Sequence, residues 1–302
     1  MTKIRALPRN RNFIFLLAIT AGLLFDYSAQ WTRFLVLPAL SLIMTLAISG
    51  IFSTVPSFSR SLLIPALLGI FMNYVLLGNF IVGMSAFLVH EEPLWAGFVI
   101  MAAVPPAVAV VPFANIFKGD ETYAVAGTIG AYIGALIIIP VIAFGLSDLS
   151  SINITRIFIV AAELIFLPVI ISLVLVWKNV HKKIEPIRGI LTDWSFFLIL
   201  YTLVGLNREI IMGRPFYLVP AAVIAFACTF LLGFLIEWIG TLFHFNKEKL
   251  TSLYLLGTLK NYGLAGGVAL SLFSKEAALP AIILTVVMFI YTIWLNFKKR
   301  WT

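Results

Sequence analysis

Charge is the scarcest ingredient of this sequence. Of 302 residues only 11% are Asp, Glu, Lys or Arg, while 62% are hydrophobic. A soluble domain averages about 25% charged and about 45–50% apolar residues. The chain lacks the polar surface to stay dissolved, which excludes an ordinary soluble enzyme, a disordered chain and a coiled coil. Cysteine is nearly absent: Cys228 stands alone inside an apolar run, so no intrachain disulfide can form. Histidine is rare too. His90, His181 and His244 fall between the long apolar runs, so no metal-spaced cluster lies within one. Gly-x-Ser-x-Gly, P-loop and paired intramembrane aspartate patterns are missing, which argues against a membrane enzyme. Nothing reads as a repeated filter ring, which argues against a channel. No metal and no cofactor is implied.

What is present is a series of apolar runs. A helix needs about 20 apolar residues to cross a bilayer core of about 30 Å. Ten segments qualify: 13–28, 34–52, 61–89, 94–117, 122–146, 155–177, 190–211, 216–240, 249–273 and 277–297. The runs are too long, and too little alternating, for barrel strands. The first follows a basic stretch as a signal peptide would, but no small-residue cleavage site ends it. The expectation is an all-α polytopic membrane protein, one membrane domain over 1–302.

The net charge of +8 has an address. With the N-terminus on the cytoplasmic side, 15 of the 21 Lys and Arg fall on inner segments and 5 on outer ones. This is the positive-inside pattern with both termini cytoplasmic. It accounts for the basic character without nucleic acid. The expected location is a bacterial or archaeal inner membrane, the expected surroundings a lipid bilayer, and the expected assembly a monomer or homodimer.

An internal repeat organises the runs. Ile64-Pro65-Ala66-Leu67 aligns with Val219-Pro220-Ala221-Ala222, an offset of 155. Phe117-Lys118-Gly119-Asp120 aligns with Phe273-Ser274-Lys275-Glu276 at nearly the same offset. The unit, about 13–146 and again about 155–297, holds five helices. Five is odd, so the second copy is inverted, as in many secondary transporters. Their sites lie near the midplane on interrupted helices, and two interruptions correspond here. The fourth segment carries Val104-Pro105-Pro106-Ala107, and the offset places these prolines opposite Lys260-Asn261 in a stretch with four glycines from Gly257 to Gly267. Proline removes a backbone donor and obstructs the preceding turn. Glycine is poor helix material.

Lys260 is the sharpest single residue. It lies 11 residues into its segment, about 16 Å deep at 1.5 Å per residue. A lysine at such depth faces a cavity or a partner and marks function or a structural ion pair. Glu163, about 12 Å deep by the same rise, is a candidate partner or proton carrier. Glu237 lies near an inner helix end, where a charged group can reach the interface. Asn73 adds an amide in the third segment.

Lys260-Asn261-Tyr262-Gly263-Leu264-Ala265, with Glu276-Ala277-Ala278-Leu279-Pro280-Ala281, resembles the bile acid:sodium symporter family, as do Pro105-Pro106 and Phe117-Lys118-Gly119-Asp120. The resemblance implies a core domain of helices 3–5 and 8–10, with helices 4 and 9 broken and crossing, and a panel of helices 1, 2, 6 and 7. It also implies an organic anion bound between the two by an alternating-access carrier. The related auxin-efflux-carrier-like families are the second resemblance, implying export. Asn73 and Thr128 match site positions in type. The implied substrate site is Asn73, Pro105, Pro106, Thr128, Thr258, Lys260 and Asn261. The sodium ligands do not carry over: Leu256, Val110, Val111 and Lys260 stand at positions where sodium-coupled members have polar ligands. A hard cation needs oxygen ligands, so the expectation is a sodium-independent carrier, proton-coupled or uniport.

Overall fold

The computed structural model describes residues 11–54, 60–145, 159–160 and 162–298. The described chain is helical and contains no strand beyond one isolated bridge. Six helices are long and apolar enough to cross a membrane, and four shorter apolar helices accompany them. Large apolar side chains such as Phe87, Trp177 and Phe216 face outward. A polar solvent would penalise that surface at about 25 cal/mol per Å², whereas lipid does not. The molecule is an all-α, multi-pass membrane protein.

In chain order the helices are α1 (Arg11–Leu24), α2 (Val36–Thr54), α3 (Arg60–Leu88), α4 (Glu92–Ala103), α5 (Val110–Ile116) and α6 (Glu121–Gly145). There follow α7 (Leu167–Trp177), α8 (Val180–Leu206), α9 (Pro215–Leu242), α10 (Lys247–Leu256), α11 (Tyr262–Leu272) and α12 (Leu279–Lys298). The start of the expected sixth segment, 155–158, lies outside the described residues. The expected seventh segment, 190–211, differs most from its helix. α8 begins ten residues earlier and carries Lys182, Lys183, Glu185 and Arg188 on its first turns. Hydropathy registers only the apolar part of a helix, and here the polar part continues it, with Arg188 and Glu185 paired at 2.5 Å. Glu237 pairs with Lys298 where α9 meets the end of α12.

Small residues set the closest packing. An added Cβ on Gly69 of α3 would lie 2.1 Å from the Gly127 carbonyl oxygen of α6. One on Gly130 would lie 2.3 Å from the Ala66 carbonyl oxygen. Backbones approach this closely only where both helices carry glycine or alanine, the usual solution when lipid gives no hydrophobic drive between helices. α1 lies along α8, and α2 packs against both α7 and α8.

Among the described residues three stretches take π-helical geometry: Phe71–Gly78 within α3, Ala162–Phe166 just before α7, and Ala227–Leu231 within α9. Such stretches are rare and occur often at functional sites. The stretch in α3 contains Asn73 and Tyr74, both buried, and that in α9 contains Cys228.

Candidate functional site at the helix breaks

α4 stops at Ala103, and the chain runs extended through Val104 before α5 resumes at Val110. α10 stops at Leu256, and α11 begins at Tyr262. The two gaps meet. Pro106 and Lys260 lie opposite each other in an antiparallel bridge. Its hydrogen bonds run from the Asn261 N–H to the Pro105 carbonyl, 3.0 Å, and from the Ala107 N–H to the Leu259 carbonyl, 3.2 Å. Proline can stand in such a ladder because the donors come from its neighbours, not from its own nitrogen.

The prolines leave acceptors behind. In a continuous helix the N–H of residue 106 would bond the carbonyl of residue 102; Pro106 has none to give. Lys260 supplies the donor instead. Its Nζ lies 2.6 Å from the Ala102 carbonyl oxygen and 2.9 Å from that of Val104. Asn73 Nδ2 donates to the same Val104 carbonyl at 3.2 Å. The ring of Tyr74 covers the ammonium, with Nζ 4.8 Å from its centroid. Lys260 is 1% exposed. The carbonyl end of α4 carries partial negative charge, and that end, with the tyrosine face, surrounds the Lys260 amino group. Among the described residues no carboxylate forms an ion pair with it.

Glu163 is therefore not the partner of Lys260 in this structure. It lies exposed in the π-helical turn Ala162–Phe166. Counting residues gives depth along a helix but not which face a side chain takes. Asn73, Pro105, Pro106, Lys260 and Asn261 come together. Asn261 caps α11, its Oδ1 accepting from the Leu264 N–H at 3.1 Å. Thr258 and Thr128 are fully buried, and each hydroxyl donates to its own helix, to the Tyr254 and Ala124 carbonyls. Leu256 and Val110 are fully buried at the rims of the breaks, and Leu256 fills the space beside Gly127.

A cavity of about 480 Å³ ends at these breaks. Its wall includes Lys260, Asn261, Gly263 and the Ala107–Ala109 stretch. It runs from the buried Leu203 to the exposed Ile116, Ile293 and Asn296. That end of the molecule also carries Lys118 and Lys298. Phe15, Phe196 and Phe289 line it from α1, α8 and α12, with Phe15 edge-on to both others at 5.8 and 4.7 Å. These rings were not singled out from the sequence, where phenylalanine occurs 26 times and carries no pattern pointing to a cavity. Tyr74 had a weak signal in its adjacency to Asn73.

Comparison with models of known families finds no match, and comparison with curated proteins finds no similar one.

Proposed function

We propose that this protein is a secondary carrier of small organic anions. It would work by alternating access, with the substrate in the 480 Å³ cavity that ends at the paired breaks. The meeting of the breaks in the wall of that cavity carries the reading. The N-terminus of α11 lies there, where a helix favours negative charge, and transporter sites are commonly built on such half-helices. The cavity size lies within the range of about 300–1,000 Å³ usual for small-molecule sites.

The same reading takes the six long and four shorter apolar helices as ten spans in two inverted sets of five. The matched breaks and the matched π-helical stretches in α3 and α9 support the repeat. It takes the set with the breaks as a core and α1, α2, α7 and α8 as a panel, in the manner of the bile acid:sodium symporter family. Lys260 serves as a built-in cation at the crossing, and transport does not require sodium.

The test has two arms. Purified protein is screened by thermal shift against organic acids, since a ligand that binds only the folded state raises the melting temperature. Hits are then followed as labelled uptake into proteoliposomes. Saturable uptake abolished by Asn261→Ala or Lys260→Ala is expected. Flux beyond roughly 10⁶ per second, far above the μs–ms motion of domains, or chemical turnover of the acid, would replace the carrier reading with a channel or an enzyme.

A further inference from the structure

Asn207 follows directly on α8 and is fully buried. Its Nδ2 donates to the Leu203 carbonyl at 2.9 Å and to the Lys275 carbonyl at 2.8 Å, 68 residues further on. Lys275 lies between α11 and α12. Asn207 Oδ1, although buried, finds no hydrogen-bond partner among the described residues.

The end of α8 is tied firmly to the turn after α1. Tyr201 Oη donates to the Phe25 carbonyl at 2.7 Å, Arg208 Nε to the Leu23 carbonyl at 2.7 Å, and the hydroxyls of Thr32 and Thr202 lie 2.7 Å apart. Gly205 packs on Ala29, where an added Cβ would come within 2.6 Å. This end of α8 and the α1 turn form one body. Across to the α11–α12 side the bonding is sparser. Among the described residues the Asn207 bond is joined by a long 3.5 Å contact from Arg33 Nη2 to the Leu270 carbonyl. The cavity separates the same two sides at the opposite end of the helices, where the Phe15 and Phe289 rings meet across it.

We propose that Asn207 is the clamp that closes the seam at the end away from the cavity mouth, and that it is built to open. One arm of the amide holds Lys275. The other arm, Oδ1, is buried without a donor, a state that water relieves as soon as the seam parts. A fully satisfied amide would lock the seam. A half-satisfied one leaves the two arrangements close in free energy, as a two-state element requires. The clamp rests on the alternating-access reading for its purpose, but its existence is read without transport.

The experiment is hydrogen–deuterium exchange of the full chain in lipid nanodiscs. In the unaltered protein, peptides covering 207–211 and 275–278 should exchange together, and faster than the interior of α12. Asn207→Ala should raise exchange in both peptides by about three- to tenfold, the range set by one net hydrogen bond, and leave 100–110 and 256–265 unchanged. Lys275→Ala, which keeps the accepting carbonyl, should leave both peptides as they were. If the two peptides are as protected as the α12 interior, or if Asn207→Ala changes neither peptide or all peptides alike, the clamp is refuted. Failure of uptake with these exchange results intact would count against the carrier reading alone.

Discussion

Replacing Lys260 by methionine keeps the length of the side chain and removes its charge and donors. Two charge-assisted hydrogen bonds disappear, at 2.6 and 2.9 Å, each of a kind that contributes about 1.5–3 kcal/mol net. The contact with the Tyr74 ring disappears too, of order 2 kcal/mol for a desolvated cation. Against this, a buried charge with no carboxylate beside it has lost its water, an effective penalty of several kcal/mol. The two sides nearly cancel. What remains is the Ala102 carbonyl, stranded by Pro106, because Val104 keeps Asn73 as donor. A buried orphan acceptor costs about 1–3 kcal/mol. Lys260→Met should therefore be destabilised by roughly 1–3 kcal/mol, still folded and membrane-inserted, while uptake falls to background. Thermal unfolding in detergent and proteoliposome uptake are measured on the same preparation. A variant as active as the parent would show that the cation is only a structural prop. A loss of stability well beyond about 5 kcal/mol would show that the opposing terms do not cancel as argued.

Two further outcomes follow from the same geometry. Uptake at fixed membrane potential should not depend on sodium, because Leu256, Val110 and Val111 offer no side-chain oxygen at the breaks and the Lys260 ammonium already occupies the freed carbonyls; sodium dependence abolished by Lys260→Gln would sink this. Gly69→Ala should lower the melting temperature and the yield of folded protein. Its Cβ would meet the backbone of Gly127 at 2.1–2.5 Å, a clash that no side-chain rotation relieves and that costs roughly 1–3 kcal/mol or more.

Much of the helical frame was legible in the sequence because lipid imposes it. A spanning segment must satisfy its own backbone and cover itself with apolar side chains, so length and hydropathy mark it. The ends were less legible where a helix leaves the bilayer. α8 extends through Lys182 and Lys183 and past Pro186, with Glu185 and Arg188 paired at i,i+3, and a polar helical stretch of this kind does not appear in a hydropathy run. The breaks were legible because proline and glycine act locally. The environment of Lys260 was not. Depth along the helix singled out the residue, but its partners are backbone carbonyls 156 and 158 residues away, and a carbonyl has no signature in sequence. That is why a carboxylate at similar depth, Glu163, stood as a candidate partner.

The proline pair and the lysine should accordingly behave as one unit. Pro105 and Pro106 withhold two N–H groups and forbid the helical turn before them, which strands the Ala102 carbonyl; Lys260 serves that carbonyl from another helix. If the prolines are replaced by alanine, α4 can extend and residue 106 can bond Ala102 through its own backbone. Removing the lysine should then strand nothing. In a double-mutant cycle, Lys260→Met should be less destabilising by about 1–3 kcal/mol in the Pro105→Ala/Pro106→Ala background than in the parent, the cost of the orphan acceptor. The same background should weaken the bridge between Pro106 and Lys260, since an extended helix at 104–106 cannot pair with Leu259 and Asn261 as the present one does. Uptake should therefore be lost even where stability is recovered. Additive stabilities in the cycle would mean that Lys260 and the prolines act independently, and that the freed carbonyl is not what the lysine is there to hold.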